Sequence, residues 1–452
     1  MFSRRRFVKN GLVKLGAASI GSLAFRNFGL LPALAQNATD YKALVCVFLL
    51  GGNDSNNTII PAGTGDTIYN EYASLRGSLA LPKSALTEVA DASGKNNYYF
   101  HNALAELATM FSSGSLAVAA NVGPLVTFVK RTGFETVNGP LPEHLFSHRD
   151  QQIEWQTSDP TEQTPFGWGG RTAAIAQAMN KTNFPTFMSV AGNDIFGNGT
   201  DPQIEISSTA NPGTALNLAG YNLEQPRTKA FNALLTTETG LKLAGAANGI
   251  MLNSIADAQA LSAALTGVSV STTFPATYLG KQLKQVATII KARENLGMQR
   301  QIFFCSLGSF DTHTGELETL DNLYPQLSQA INAFFTAVNG ELDLPKAVTL
   351  FTESDFSRTF SPTTTDGSDH AWGSHHMVMG GAVKGKQIYN SFPTFALGTD
   401  DDFDTRGRFI PSAAVDQYGA ALVDWFGVNP NQVFPNLAAL NKIKANPFTF
   451  LS

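Results

Sequence analysis

The stretch Ile302-Phe303-Phe304-Cys305-Ser306-Leu307, continued by Gly308-Ser309-Phe310-Asp311-Thr312-His313, decides how this chain folds. Six residues without a charge predict a strand covered on both faces; the glycine and serine that follow end it and present an aspartate and a histidine. Apolar residues at helical spacing then run from Leu317 to Val338, and a second apolar run, Ala347-Val348-Thr349-Leu350-Phe351, follows. Strand, helix and strand in that order make a right-handed βαβ unit with parallel strands. Both strands end at one edge of a sheet. Asp311 and His313 are therefore expected beside Thr352-Glu353-Ser354-Asp355-Phe356-Ser357-Arg358, although the two runs are far apart in sequence.

Working outward, Ala43-Leu44-Val45-Cys46-Val47-Phe48-Leu49-Leu50 reads as another doubly covered strand, and Gly51-Gly52-Asn53-Asp54 as the turn that carries Asp54 past its carboxyl end. A helical spacing from His101 to Phe111 precedes a strand-like run from Leu116 to Val122, and Met377 to Val383 predicts a late strand entered from a histidine cluster. Long helical patterns fill 226–298, the expected helical insertion. The loop from Thr359 to Trp372 has to fold back over the strand ends. The fold class expected is α/β, a mostly parallel central sheet with helices on both faces, in one domain over 36–452.

The amino terminus reads Ser3-Arg4-Arg5-Arg6-Phe7-Val8-Lys9, then a mildly apolar stretch to Leu34 and Ala33-Leu34-Ala35. That pattern predicts a twin-arginine export signal over 1–35, hence a periplasmic or secreted protein and the twin-arginine translocase as a partner during export. Lys14 and Arg26 make the stretch too polar for a stable membrane span. Six basic and no acidic residues lie in 1–35, so cleavage would take the formal charge from −5 to −11. So acidic a protein lacks the basic surface that nucleic acid or anionic membrane requires. The only cysteines, Cys46 and Cys305, lie in apolar runs and read as buried thiols, with a bridge open to them if their strands are neighbours.

Three of the seven histidines fall in Asp369-His370-Ala371-Trp372-Gly373-Ser374-His375-His376. Imidazoles and carboxylates are the usual ligands of zinc and harder divalent ions, and the ends of parallel strands are where such groups are exposed. The candidate metal ligands are Asp54, Asp311, His313, Asp355, His370, His375 and His376. Asp311 and His313, two apart on extended backbone, point to one side. Ser147 opens Phe146-Ser147-His148-Arg149-Asp150 ahead of a helical pattern. It reads either as a simple helix cap or as a nucleophile in the positive end of a helix dipole, flanked by His148 and Arg149. Arg358 is placed to grip two oxygens of an oxyanion or to form a structural ion pair. Trp155, Trp168 and Trp372 flank these runs and line either a pocket or the core.

At these residues the chain resembles the exported bacterial family catalogued as domain of unknown function 1501, itself grouped with the alkaline phosphatase and sulfatase superfamily. The resemblance rests on the twin-arginine leader, Gly51-Gly52-Asn53-Asp54, Ser147-His148, Phe310-Asp311-Thr312-His313, Ser354-Asp355-Phe356-Ser357-Arg358-Thr359 and Asp369-His370 through Gly381. It implies an alkaline-phosphatase-like sandwich with one or two divalent metals: zinc foremost, with calcium, magnesium or manganese as alternatives. It implies Asp54 as the first-strand metal aspartate, Ser147 as nucleophile, and Asp311 with His313 at one metal, completed by His376 or instead by His370 or His375. Asp355 would be the aspartate of an Asp-His pair, but Phe356 stands where that histidine would be, and Asp311 and His313 are closer than the superfamily's spacing. These departures leave open a one-metal enzyme, an altered second site using Glu353 or His148, and a fold without catalysis. The activity implied is metal-dependent hydrolysis of a phosphate or sulfate ester, small or polymeric; the rival is a non-catalytic exported binding protein.

Overall fold

The structure is a computed structural model that describes residues 40–161, 164–199, 204–205, 226–236 and 242–451. The leader at 1–35 lies outside these residues. The strands are β1 (Lys42–Leu49), β2 (Ile59–Pro61), β3 (Leu86–Ala90), β4 (Asn97–His101), β5 (Leu116–Gly123), β6 (Arg131–Gly133), β7 (Thr136–Val137), β8 (Phe187–Ser189), β9 (Ile204–Glu205), β10 (Arg300–Leu307), β11 (Val348–Ser354), β12 (Ser374–Met379), β13 (Ile388–Tyr389) and β14 (Ala413–Ala414). Nine of them form one sheet, in the order β13-β5-β12-β11-β1-β10-β8-β9 with β14 beside β5. β1 lies between β10 and β11 and is parallel to both, while β12 runs antiparallel to β11 and β5. The central sheet is thus largely parallel.

Among the described residues the helices of eight or more residues are α1 (Thr67–Arg76), α2 (Ala105–Ser112), α3 (His148–Thr157), α4 (Trp168–Ala176), α5 (Pro226–Leu235), α6 (Lys242–Leu265), α7 (Tyr278–Lys291), α8 (Glu316–Thr336) and α9 (Val415–Phe426). Alternation along β1 sorts its side chains between two cores. Val45 and Val47 join Phe303, Cys305 and the apolar stripes of α2, α7 and α8 on one face. Leu44, Cys46 and Phe48 join Ile302, Phe304 and residues of α4 and α9 on the other. A charge on either side would be stranded in the interior, which is why these strands read as continuous apolar runs. Trp155, Trp168 and Trp372 are fully buried, which places all three in the core.

Cys46 and Cys305 sit on neighbouring strands, but Cys46 is opposite Phe304 and Cys305 opposite Val47, so they face different cores; both are free thiols. The bridge left open from the sequence is excluded by that one-residue offset. Among the described residues, no helix is long and apolar enough to cross a membrane.

The late strand is β12, Ser374–Met379, and it starts three residues before the predicted Met377. His375 and His376 therefore lie inside the sheet, instead of ahead of it. Both are buried, and burial drives each pKa down to about 3.

Candidate functional site

The ends of β1, β10 and β11 lie together. After β10, Ser309 adopts a left-handed φ of 78° and Phe310 is fully buried, which turns the chain so that Asp311 and His313 lie partly exposed while Thr312 points inward. After β1, Gly51 takes φ +113°, and a Cβ there would stand 2.5 Å from the backbone nitrogen of Asp311. Only glycine admits that approach. The Gly51 N–H donates to Asp355 Oδ1 at 3.1 Å, and its carbonyl accepts from Arg358 Nη1 at 3.3 Å, so the turn after β1 is tied to the end of β11.

Five side chains meet over this edge. Asp311 Oδ1 lies 3.3 Å from His148 Nε2, 3.0 Å from His313 Nε2, 3.4 Å from His370 Nε2 and 2.9 Å from Arg358 Nη1. The Nε2 atoms of His313 and His370 are 3.0 Å apart. Ligand atoms of His148, Asp311 and His370 all fall within 4.8 Å of one another, the spacing of a metal-holding group.

The opposite nitrogen of each ring faces an acceptor. His148 Nδ1 donates to Asp355 Oδ2 at 2.8 Å, His370 Nδ1 donates to the Phe146 carbonyl at 2.7 Å, and His313 Nδ1 lies 3.2 Å from Asp369 Oδ1. Phe146 itself has φ 71°, an uncommon conformation for a bulky residue, which aims its carbonyl at His370. A ring with its proton at Nδ1 presents an Nε2 lone pair to the centre, and the His313–His370 contact places a proton on one of those two Nε2 atoms unless a cation replaces it. His148 Nε2 is buried and forms no hydrogen bond. Phe356 stacks on His370 with centroids 4.7 Å apart and lies 4.8 Å from His148, walling the two rings.

Electrostatics reinforce the arrangement. The hydrogen bond to Asp355 raises the His148 pKa, making its nitrogen more basic. Burial acts to raise the Asp311 carboxyl, but the Arg358 guanidinium, with His148 and His313, holds it below the usual range. Burial lowers the His370 pKa and keeps that ring neutral. Burial acts to raise the Asp369 carboxyl, but the Arg406 guanidinium at 2.6 Å, with His313 and Arg408, holds it below the usual range.

Of the sequence candidates, Asp311, His313, His370, His148 and Arg358 come together. Asp355 stands behind them: both its oxygens are taken, by Gly51, His148 and Gln152, so it orients a ring and does not face the centre. Asp54 is a correction. It is fully buried and ion-paired with Arg76, which also contacts Glu316 at 3.1 Å, so its carboxylate is already committed. His375 and His376 are corrected likewise: His375 Nδ1 accepts from the Asn121 N–H at 2.9 Å, and His376 packs on Trp155 at 4.5 Å between ring centroids. Glu353 is buried beside Cys46 and is no part of the cluster. Arg149 is exposed and forms no hydrogen bond or ion pair among the described residues. Ser147 occupies the N-cap position of α3, yet its side chain makes no capping hydrogen bond. His148 is the ligand-type residue whose place was least apparent in the sequence; its signal was position one of a helix facing the strand ends.

A family model described as "Protein of unknown function (DUF1501)" matches residues 41–405. The chain belongs to that family. No curated protein matches it. A solved structure of Ps i-CgsB in complex with k-i-k-neocarrahexaose aligns with a TM-score of 0.31 and 9% identity, over 89% of this chain and 77% of that one. In this DUF1501 member the loops that carry Asp311, Asp355 and His370 all lie within the matched span.

Proposed function

We propose that this DUF1501 protein is an exported, metal-dependent hydrolase of phosphate or sulfate esters on an alkaline-phosphatase-like sandwich, holding one divalent ion with His148, Asp311, His313 and His370. One observation carries the metal: Nε2 of His313 and Nε2 of His370 are 3.0 Å apart while each Nδ1 faces an acceptor, so two lone pairs and a carboxylate oxygen converge. The contact between the two rings is satisfied either by a proton on one Nε2 or by a cation that takes its place. A tetrahedral ion with ligands at 2.0–2.2 Å sets its donor atoms roughly 3.3 Å apart, close to the 3.0–3.4 Å between Asp311 Oδ1 and the three Nε2 atoms. Three imidazoles and one carboxylate suit zinc better than the all-oxygen shells of calcium or magnesium. One ion, not two, follows from Asp54 being held by Arg76 and from Phe356 filling the flank of the two rings.

A bound divalent ion would supply Lewis-acid stabilisation of an ester oxygen. The rest is done by the chain. Ser147 has a hydroxyl free of capping duty at the positive end of α3, suited to attack phosphorus or sulfur and displace the alcohol, leaving a serine ester for water to hydrolyse. Arg358, its guanidinium fully buried and bonded to Asp311, the Gly51 carbonyl and Ser368, holds the Asp311 carboxylate in place. Asp355 fixes the His148 ring.

Four protein ligands also describe a closed site, which favours the second reading, a metal-bearing binding protein without turnover. The test is a Ser147→Ala variant assayed with phosphate monoester, phosphate diester and sulfate ester substrates, alongside metal analysis. Hydrolysis by the parent, lost in the variant with metal retained, supports the enzyme. Metal without turnover on any ester class supports the binding protein.

A further inference from the structure

Two segments carry three of the four converging side chains, and one buried carboxylate joins them. Glu316, the first residue of α8, is fully buried and touches none of the four converging side chains. Its Oε2 accepts from Thr312 Oγ1 at 3.0 Å and from Ser368 Oγ, and its Oε1 accepts from Arg76 Nη2 at 3.1 Å. Thr312 lies between Asp311 and His313, and Ser368 precedes Asp369 and His370. The backbone repeats the join: Glu316 N donates to Asp366 O at 3.0 Å and Ser368 N to Thr312 O at 3.0 Å. Gly367 sits at the seam, where a Cβ would lie 2.2 Å from the His313 carbonyl carbon. Ser368 also accepts from Arg358 Nε at 3.2 Å, so the same carboxylate reaches the guanidinium through one hydroxyl. Arg76, the cation that satisfies Glu316, grips the carbonyls of Thr359 and Phe360 where the returning loop begins.

We propose that Glu316 is a positioning residue that sets the relative placement of the Asp311–His313 and Asp369–His370 segments, and that it does so without touching the ligand. As a role in metal holding this rests on the reading given under the proposed function; as a clamp on two imidazoles it stands alone. The pattern it predicts is selective. His313 and His370 lie on the clamped segments, whereas His148 is held by Asp355 from another element. Loss of the clamp therefore frees two rings and leaves the third.

The test uses the full-length protein with nitrogen-15-labelled histidine, freed of metal by a chelator, in the parent and in Glu316→Gln, Ser368→Ala and Asn180→Ala. Asn180 accepts hydrogen bonds from Gln299 and Arg300 at the far end of β10, so its loss weakens the same strand away from the site. The expected result is one defined tautomer for each of the three rings in the parent, Nδ1–H for His148, with mixed tautomers for His313 and His370 in Glu316→Gln and an unchanged His148. Zinc affinity should fall about 10–100-fold in that variant and remain unchanged in Asn180→Ala. If Glu316→Gln does not fold, Ser368→Ala, which keeps the Arg76 pair, must still shift His370. Unchanged His313 and His370 signals in folded Glu316→Gln or Ser368→Ala overturn the proposal. A parent that takes up no zinc while Glu316→Gln still mixes the two tautomers refutes the metal reading and supports the clamp.

Discussion

Replacing Asp355 by asparagine isolates what the carboxylate behind His148 contributes. Three donors converge on it: Gly51 N–H at 3.1 Å on Oδ1, and His148 Nδ1 at 2.8 Å and Gln152 Nε2 at 2.7 Å on Oδ2. Asparagine satisfies them in neither orientation. With its oxygen toward His148, its NH2 meets the Gly51 N–H, donor against donor. With the NH2 toward His148, the ring has to accept at Nδ1, which moves the proton to Nε2 and removes the lone pair aimed at Asp311. A hydrogen bond to a charged group is worth about 1.5–3 kcal/mol, and loss of a group that orients a metal-ligating histidine typically costs about 10–100-fold in affinity. We therefore expect zinc binding by Asp355→Asn to weaken by about 10–100-fold, equal to about 1.4–2.7 kcal/mol. Competition against a chromophoric chelator at fixed pH measures it. An affinity within twofold of the parent, in a folded variant, refutes the assignment of Asp355 to ring orientation.

Three further outcomes follow from buried groups. Asp416 is buried and its pKa is raised to about 7, so the native state holds a proton that the unfolded chain, titrating near 3.8, has released; stability declines as pH rises from about 4 to 7, and Asp416→Asn should flatten that decline and raise the melting temperature at pH 8, whereas an unchanged melting profile contradicts the account. Arg76→Leu leaves the Asp54 and Glu316 carboxyls buried without their shared cation and should cost about 3–5 kcal/mol in urea unfolding near neutral pH, less at acid pH where Asp54, whose pKa burial raises, is protonated; an equal loss at both pH values would count against it. Gly51→Ala places a Cβ 2.5 Å from the Asp311 nitrogen at φ +113°, so it should lower both melting temperature and zinc affinity, and a variant matching the parent in both would show that the turn is not tightly packed.

The parallel core was legible because the middles of β1, β10 and β11 are covered on both faces and so read as apolar runs. Asp311 and His313 were legible for a related reason: a period of two on extended backbone puts them on one side, with buried Thr312 between. The choice among clustered histidines was not. Where β12 begins depends on pairing with β5, a distant segment, and a start at Ser374 carries His375 and His376 into the interior, against Phe392 and Trp155. Asp54 looked like a strand-end ligand because its partner, Arg76, lies on α1 and the carboxylate sharing that partner, Glu316, lies far along the chain. Nor does local pattern separate a residue that faces the centre from one standing behind it. Asp355 and His148 exchange those roles only once the direction of α3 is known.

The central claim is that three imidazoles and one carboxylate share a single cation. X-ray absorption on the purified protein after equilibration with zinc and removal of excess tests it most directly, with metal content measured on the same sample. The account predicts about one zinc per chain, with nitrogen and oxygen neighbours at about 2.0–2.2 Å and the outer-shell scattering of several imidazoles, which diminishes in His370→Ala. Zinc at far less than one equivalent, or a bound ion whose spectrum lacks imidazole scattering, contradicts it.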